Sequence, residues 1–493
     1  MQRKLKILFI SSEIAPFTKT SSLADVAGAL PKALKEMNHD IRLFIPKYGT
    51  INDRKYTIRE VIRLKEIDVP EGDKIVITSV KSAFLPNSKV QVYFVENKDY
   101  FNRSEIYINP KTKKDWEDNA ERFIFFSRSI FEILKKLHWQ PDIIHCNDWQ
   151  TALIPFFLKT VYKNDPFFGK TYTLLSIHNL TQQGIFDKKI APLINNSEEK
   201  LHLNNVIDFQ GKINFLKAGI VYADLINATS KSYVKEIQLD EESAMGLHEI
   251  FRARSKNLYG VNNGIDYTVW NPESDDLIPY NYSRKNILTK LKNKQFLVES
   301  QGLIFNEKIP VIGTILQLKD YHEGFNQIVE ILDEMMAFDL QFILLLKRDE
   351  KYHDLLKSFI RKFPDKIVIN MKSDNPLVHL MFAGCDCILI PCRTEPCGLN
   401  QIYCLRYGTI PIVHATGGLA DTVKNYNPST KRGYGFVFEE FSSESMLNTL
   451  IRALKSFNDK EIWNKLIDRA MKLEFSWQVA AENYNKLYQK LMK

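Results

Sequence analysis

The stretch PCRTEPCGLNQIYCLRYGTIPIVHATGGLADTV, residues 391–423, decides how this chain is expected to fold. The apolar run Cys387–Ile390 predicts a buried strand that ends just before it. A short loop with one acid, Glu395, leads into a helical run, and Ile410–Val413 predicts a second short strand. A second helix then begins at Thr416-Gly417-Gly418. The stretch therefore predicts two successive strand-to-helix turns of a parallel sheet.

Such turns are where open parallel sheets bind ligands, beyond the carboxyl ends of the strands and against helix N-termini. Two glycine-bearing turns together with Glu395 suggest a site for a ligand that is both phosphorylated and polyhydroxylated. An ordinary pair of turns without a ligand explains the glycines alone equally well.

Length and composition narrow the class of protein. At 493 residues the chain is too long for one core, and 44% hydrophobic with 26% charged residues is typical of folded domains. No apolar run is long enough to span a bilayer, and Glu13 and Pro16 interrupt the one signal-like run. We therefore expect a cytoplasmic protein with no membrane contact.

Charge and cysteine content exclude further classes. The net charge of +8 is spread over scattered lysines, and no basic run with interleaved aromatics predicts nucleic-acid binding. Six cysteines are present, five of them between Cys385 and Cys404, without the paired spacing of a zinc site. Most of them lie on or beside an apolar strand and helix, where cysteine acts as a small hydrophobic residue. We predict no metal, no cofactor and no disulfide.

Strand, loop and helix patterns fill both halves of the chain. Leu5–Ile10 is an apolar strand, followed by the helical run Leu23–Leu34 and a second strand, Ile41–Pro46. Residues 52–109 alternate instead, which predicts antiparallel or mixed strands inserted into this domain. After residue 263 the alternation of strands and helices begins again. We therefore predict an α/β fold with two doubly wound Rossmann-like domains, residues 1–262 and 263–493, that face each other across a ligand cleft.

Polar residues follow several of the predicted strands. Taken alone, His178 could be a turn histidine and Asp148 could cap the helix that starts at Thr151, whereas Glu395 before Pro and Cys is harder to explain structurally. The candidates that we expect at the cleft are Lys19, His145, Asp148, His178, Asn179, Asn263, Asp266, Glu395 and the Thr416 turn.

A set of segments carries a resemblance to a known family. They are KTSSLADVAGALPKAL (19–34), HCNDWQTAL (145–153), HNLTQQGIF (178–186), INFLKAGIVYAD (213–224), NNGIDYTVWNP (262–272), TEPCGLNQIYCLRYGTIPIV (394–413) and TGGLADTV (416–423). The chain resembles bacterial glycogen synthase and plant starch synthase, glycosyltransferase family five, from Lys6 to the terminal helix that follows Ser476-Trp477. The resemblance implies the two-domain GT-B fold, with a C-terminal helix that returns to the N-terminal domain.

The resemblance also implies a reaction and roles for single residues. The reaction is transfer of glucose from ADP-glucose, or UDP-glucose in some members, to the 4-hydroxyl of an α-1,4-glucan, with retention and without a metal. His178 would contact the glucose and the reacting centre, and Glu395 would hydrogen-bond the donor glucose. Asp148 and Asn263 would bind sugar hydroxyls, and Lys19 would approach the donor, while Thr416-Gly417-Gly418 would donate N–H groups to the phosphate. The implied substrate-binding set is Lys19, Asp25, Asp148, Asn179, Asn263, Cys397, Gly398, Leu399, Thr416, Gly417 and Gly418.

Three departures from the family pattern fall on the donor-phosphate side. The family's Lys-Thr-Gly-Gly loop is Lys19-Thr20-Ser21-Ser22 here, and Ser21 or Ser22 could cap the helix instead. After the strand that begins at Val311, a gap-free alignment places Gln317, His322 and Glu323 where the family has Arg, Lys and Gly. The family's Gly-x-Gly-Asp appears as Leu346-Lys347-Arg348-Asp349.

These departures leave three functions open. Losing two cations beside a developing dianion weakens transition-state stabilisation, unless Lys319, Lys347 or Arg348 compensates. The first interpretation is a glycogen or starch synthase that uses a nucleotide sugar. The alternative is a catalytically impaired homologue that binds glucan or regulates an active synthase, and a third is a GT-B enzyme with another donor. The sequence leaves the oligomeric state open.

Overall fold

The computed structural model describes residues 3–194, 206–317, 324–347, 352–371 and 374–493. The chain forms two compact units. The first consists of Met1–Thr229, Val234–Gly264 and Trp477–Lys493, and the second of Ser230–Tyr233 and Ile265–Ser476. Each unit has its own sheet.

The first unit contains a ten-stranded sheet and a separate, small three-stranded sheet. Its strands are β1 (Lys6–Ile10), β2 (Asp40–Pro46), β3 (Arg59–Glu60), β4 (Ile67–Glu71), β5 (Lys74–Phe84), β6 (Gln91–Glu96), β7 (Ile143–Asn147), β8 (Tyr172–Ile177), β9 (Ile185–Phe186), β10 (Asp208–Phe209), β11 (Lys212–Asn214), β12 (Leu225–Ala228) and β13 (Leu258–Gly260). Its helices are α1 (Ser22–Glu36), α2 (Lys98–Phe101), α3 (Asn119–Leu137), α4 (Leu153–Lys159), α5 (Ala191–Ile194), α6 (Phe215–Tyr222), α7 (Lys231–Leu239), whose first turn falls in the second unit, and α8 (His248–Ala253).

The large sheet has the order β13-β12-β8-β7-β1-β2-β6-β5-β3, and β4 pairs with β5. Pairs from β13 to β6 are parallel, whereas β5 runs antiparallel to β6, β3 and β4. This confirms the predicted insertion of antiparallel strands into a parallel core. The strand order reverses between β1 and β7, so the loops that follow β1, β7 and β8 leave at one edge, next to a topological switch point.

The second unit is a parallel six-stranded sheet of order β16-β15-β14-β17-β18-β19. One buried cluster includes residues of α10, α15 and α16, and another includes residues of α9 and α12, so helices cover both faces. Its strands are β14 (Val311–Gln317), β15 (Gln341–Lys347), β16 (Ile367–Asn370), β17 (Cys387–Ile390), β18 (Ile410–His414) and β19 (Phe436–Phe438). Its helices are α9 (Lys290–Ser300), α10 (Phe325–Met336), α11 (His353–Lys362), α12 (Asn375–Gly384), α13 (Asn400–Tyr407), α14 (Gly417–Thr422), α15 (Ser443–Asn458) and α16 (Lys460–Ala470).

The C-terminal helix α17 (Trp477–Leu491) belongs to the first unit, as expected for a helix that returns to the N-terminal domain. Buried polar contacts fix it there. The hydroxyl of Tyr488 lies 2.7 Å from His145 Nδ1, and Asn227 Nδ2 donates to the hydroxyl of Tyr484 at 3.0 Å. No helix within the described ranges is both long and apolar enough to cross a bilayer.

Candidate active site

The loop after β1 is organised by one buried acid, Glu13, which is 1% exposed. Its carboxylate accepts from the backbone N–H groups of Thr20 and Ser21 and from both of their hydroxyls, at 2.8 Å and 3.2 Å for the hydroxyls. The hydroxyl of Tyr107 adds a further bond to Glu13 at 3.0 Å. Successive N–H groups before a helix form a concave anion site. In this structure a side chain of the protein itself supplies the anion.

Serine replaces the family glycine in this loop without backbone strain. Ser21 has φ −140°, an extended conformation that any residue adopts, and its Oγ accepts from Leu23 N–H at 3.3 Å. The predicted serine cap of α1 is therefore confirmed for Ser21. Lys19 and Asp25, both candidates, form an ion pair at 2.7 Å, and both side chains are more than a third exposed.

Asp148 lies directly after β7 with φ +54°, a left-handed conformation that is uncommon for a residue other than glycine. Its side chain makes no capping bond to the turn that follows, so the simple helix-cap interpretation is wrong. Instead its Oδ1 accepts the backbone N–H of His178 at 2.7 Å. Burial raises the pKa of Asp148 from 3.8 to about 7, against the lowering effect of the N–H groups of His178 and Asn179.

The His178 ring, at the end of β8, is 8% exposed. Its Nε2 lies 3.0 Å from Asn147 Oδ1, while its Nδ1 is buried without a partner among the described residues. Burial lowers the pKa of His178 to about 4, so the ring is neutral near pH 7. A neutral, buried imidazole with one unpartnered nitrogen is equipped to receive a polar group of a ligand.

The remaining candidates of the first unit lie in different surroundings. Asn179 is exposed, and its Oδ1 accepts from Thr181 N–H at 2.8 Å, so it shapes the loop. Asn263 is buried at 5% exposure. His145 is fully buried, and its two ring nitrogens bond within the protein, to Tyr488 and Ser176, each at 2.7 Å. Its position at the end of an apolar strand gave no indication of this role in anchoring α17.

In the second unit, Glu395 and Gly398 form a tight turn after β17. Gly398 N–H donates to Glu395 Oε1 at 2.9 Å, and Gly398 has φ +62°, which favours glycine. Burial raises the pKa of the Glu395 carboxyl, and the N–H groups of Gly398 and Cys397 oppose that rise. Leu399, at the start of α13, is partly buried. The carboxylate is thus fixed by its own loop.

Gly417 and Gly418 are required because α14 begins directly on the Glu395 loop. A Cβ on Gly417 would lie 2.1 Å from the carbonyl oxygen of Glu395, and a Cβ on Gly418 would lie 1.7 Å from that of Cys397. Gly418 N–H donates to Glu395 O, and Thr416 N–H donates to His414 O, both at 2.9 Å. We expected these amides to face a phosphate. Here the two N–H groups of Thr416 and Gly418 are used within the protein, so that part of the expectation needs correction.

Gln401 connects these parts and was missed from the sequence. It is fully buried on α13, and its Nε2 donates to Gly398 O at 2.7 Å and to Thr422 Oγ1 at 3.0 Å. Thr422 Oγ1 in turn donates to Gly418 O at 2.6 Å. Glu13 and Asn147 were missed as well. Their signal was the polar residue at the carboxyl end of a parallel strand, where ligand sites of such sheets concentrate.

The donor-phosphate departures lie at the edge of the described residues. His322, Glu323, Lys319, Arg348 and Asp349 fall outside them, and only the backbone is described at Gln317 and Lys347. Gly324, just beyond, has φ +75°, and a Cβ there would lie 2.2 Å from Pro391 O. The start of α10 therefore requires glycine at position 324.

The described residues show no disulfide and no cluster of side chains suited to a metal ion. All six cysteines are free thiols, and burial raises the pKa of Cys146 and Cys385. Within the described ranges, no group of three or more His, Cys, Asp or Glu side chains could hold a metal ion.

Comparison with known proteins adds an independent line. Residues 6–253 match the family described as starch synthase catalytic domain, and residues 299–471 match glycosyl transferases group 1. A glycogen synthase from Fervidobacterium nodosum is 44% identical over 494 residues, 99% of each chain. One from Chlorobaculum parvum is 38% identical over 497 residues, 100% of this chain and 99% of that one.

Solved structures give the same result. The catalytic domain of Starch Synthase IV from Arabidopsis thaliana, bound to ADP and acarbose, has a TM-score of 0.87 and 26% identity, with 99% of both chains covered. Sucrose-phosphate synthase from Thermosynechococcus elongatus has a TM-score of 0.58 and 15% identity over 99% of both chains, which indicates a shared fold.

Proposed function

This chain belongs to the family of bacterial glycogen synthases and starch synthases, and from that premise we propose that it transfers glucose from ADP-glucose to the non-reducing end of an α-1,4-glucan, with retention. The observation that carries the proposal is identity of 44% maintained over 99% of both chains with a glycogen synthase. In this reaction the bond between sugar C1 and the diphosphate oxygen breaks. A new bond forms from the acceptor O4 to C1, ADP departs with the electron pair of the broken bond, and the proton of the acceptor hydroxyl passes to ADP or to water.

The protein's own residues would divide this work between sugar and leaving group. His178, neutral and buried, and Glu395, fixed by Gly398 N–H, would hold the donor glucose. Asp148 would bind sugar hydroxyls with the carboxylate that already holds the His178 backbone. The Starch Synthase IV structure with ADP and acarbose supports a nucleotide donor and a glucan acceptor for this family.

A second function is favoured by the donor-phosphate sequence. Gln317 and His322 stand where the family has two cations, and Glu13 already occupies the N–H groups of Thr20 and Ser21. Charge develops on the departing diphosphate, and each lost stabilisation of 1.36 kcal/mol slows the reaction about tenfold. An impaired homologue that binds glucan, or that regulates an active synthase, would keep the sugar residues and lose the cations.

One assay separates these functions. Purified protein is incubated with glycogen and either ADP-[14C]glucose or UDP-[14C]glucose, and label in the polymer is counted. We expect incorporation with ADP-glucose, loss of incorporation in Glu395→Ala, and an α-1,4 linkage in the product by NMR. Glycogen binding without incorporation from either donor would reject the synthase and support the impaired homologue. A thermal-shift panel of other nucleotide sugars then tests for a different donor.

A further inference from the structure

We propose that Asn147 is a positioning residue that fixes the His178 ring with its proton on Nε2, so that the bare Nδ1 accepts a hydrogen bond from a hydroxyl of the donor sugar. The identity of the ligand rests on the proposed function. The state of the ring follows from contacts within the first unit alone.

The orientation of Asn147 is determined by its other partner. Its Nδ2 lies 2.9 Å from the carbonyl oxygen of Ile10, which can only accept, so the amide NH2 must face Ile10. Thr151 holds the same residue by the backbone, because its Oγ1 accepts Asn147 N–H at 2.6 Å and donates to Asn147 O at 2.8 Å. With Asn147 fully buried and its NH2 held by Ile10, its Oδ1 is left facing the His178 ring.

That orientation decides where the proton of His178 lies. Asn147 Oδ1 carries no hydrogen, so the 3.0 Å contact is a hydrogen bond only if His178 Nε2 donates. A neutral imidazole has one ring proton, so Nδ1 then holds a lone pair. The ionisable groups beside it are Asp148, whose carboxylate accepts the His178 backbone N–H, and His145, whose own pKa is lowered well below its usual value by burial and by His178. Burial keeps the pKa of His178 near 4, which leaves the ring neutral in the working range.

The lone pair selects the chemistry of the ligand. His178 is 92% buried, since 8% is exposed, and its Nδ1 has no partner among the described residues. A buried acceptor without a donor is costly, so a ligand that supplies a proton is favoured. Phosphate oxygens of a nucleoside diphosphate offer no proton near neutral pH, whereas every sugar hydroxyl does. His178 Nδ1 is therefore suited to a hydroxyl of the donor rather than to its diphosphate, and comparing ADP with ADP-glucose separates the ribose hydroxyls from those of glucose.

Ring-¹⁵N-labelled histidine and long-range ¹H–¹⁵N spectra test the ring state directly, with His178→Gln to assign the signal. In the wild type we expect a protonated-type shift at Nε2 and an unprotonated shift at Nδ1. Asn147→Leu removes the acceptor at similar volume. We expect it to mix the two tautomers and to lower kcat about tenfold to a hundredfold, with KM for glycogen unchanged. A wild-type signal with the proton on Nδ1 would overturn the proposal, whether or not the variant folds.

Thr151→Val is the matched control. It removes the two contacts to the Asn147 backbone but leaves the side-chain bond to His178 in place. We expect a lower melting temperature than wild type, the same Nε2–H tautomer and the same kcat. If it alters the tautomer as much as Asn147→Leu does, general loosening of the loop explains the effect and the positioning role is rejected.

Ligand titration then tests what Nδ1 accepts. ADP-glucose should shift the Nδ1 signal, because a hydroxyl donates to it, whereas ADP alone should leave it unchanged. Equal shifts with both ligands, or ADP-glucose binding seen elsewhere in the spectrum without an Nδ1 shift, would overturn the sugar contact. If neither ADP-glucose nor UDP-glucose perturbs any signal, the proposed function fails, while the tautomer result from Asn147→Leu still decides the positioning role.

Discussion

Replacing Asp148 by Asn measures the free energy of burying one carboxylate at the site. Asp148 is 9% exposed, and burial raises its pKa from 3.8 to about 7. Each pKa unit corresponds to about 1.36 kcal/mol, so the ionised carboxylate lowers the free energy of unfolding by roughly 4 kcal/mol once the pH exceeds 7. The side chain is retained in an unfavourable charge state, which is typical of a binding residue.

Whether Asp148 makes stability rise or fall with pH depends on which state of the protein binds more protons. Between pH 3.8 and 7 the unfolded chain has released the Asp148 proton and the folded protein still holds it. The contribution of this group to the free energy of unfolding therefore falls as pH rises through that window. Asn has no proton to release. The stability of Asp148→Asn relative to wild type should thus increase by roughly 3 kcal/mol between pH 5 and pH 8.

Calorimetric melting of both proteins at pH 5, 6, 7 and 8 provides the difference curve. Asp73→Asn, at an exposed position of the same unit, is the control and should run parallel to wild type at every pH. Glucosyl transfer by Asp148→Asn should fall most above pH 7, where the wild-type side chain is ionised and sugar hydroxyls lose a charged acceptor. Parallel curves for Asp148→Asn and wild type would refute the claim that burial of this carboxylate is what raises its pKa.

Other perturbations have distinct expected outcomes. His178→Gln should show the opposite pH effect. The wild type loses stability below pH 6.5, because the unfolded histidine binds a proton there and the folded ring, with a pKa of about 4, does not. Calorimetric melting of both proteins below pH 6.5 measures the difference. Glu395→Gln should keep the fold but reduce [14C]glucose incorporation about a hundredfold, and unchanged incorporation would exclude a role for the charge. Gly418→Ala should lower stability by about 2–4 kcal/mol, because its Cβ would lie 1.7 Å from Cys397 O. Gly169→Ala is the matched control, because its added Cβ would lie no closer than 3.7 Å to any other atom. If Gly418→Ala and Gly169→Ala melt at the same temperature, the packing argument is contradicted.

The fold could be predicted because its signals are local and repeated. Apolar runs such as Leu5–Ile10 and Cys387–Ile390 became parallel strands covered on both faces, and the alternating segment became the antiparallel β5. The return of α17 to the first unit came from the resemblance. Nothing local in the sequence pairs Tyr488 with His145, which lies 343 residues away.

The site was harder to predict because the same residue type serves different functions at strand ends. His145 lies within the parallel strand β7 and His178 directly follows the parallel strand β8, yet the first has both ring nitrogens bonded within the protein and the second has only one. Glu13 was not predicted because its partners, the backbone N–H groups and hydroxyls of Thr20 and Ser21, lie further along the chain, beyond a loop. Whether a buried polar atom has a hydrogen-bond partner depends on tertiary contacts, which the sequence pattern does not reveal.

The hydrogen bonds of Glu13 also change what the serine residues at positions 21 and 22 imply for the loop. A glycine pair at residues 21 and 22 would offer only backbone N–H groups, whereas Ser21 adds a hydroxyl that donates to Glu13 and accepts from Leu23 N–H. Because Ser21 has extended backbone geometry, the loop needs no glycine to form this turn. The substitution therefore preserves the turn and strengthens its contact with the protein's own carboxylate. If the assay finds a loss of donor chemistry, we predict that it originates at Gln317 and His322, where the resemblance implies two cations, or in competition between Glu13 and a phosphate for the same amides.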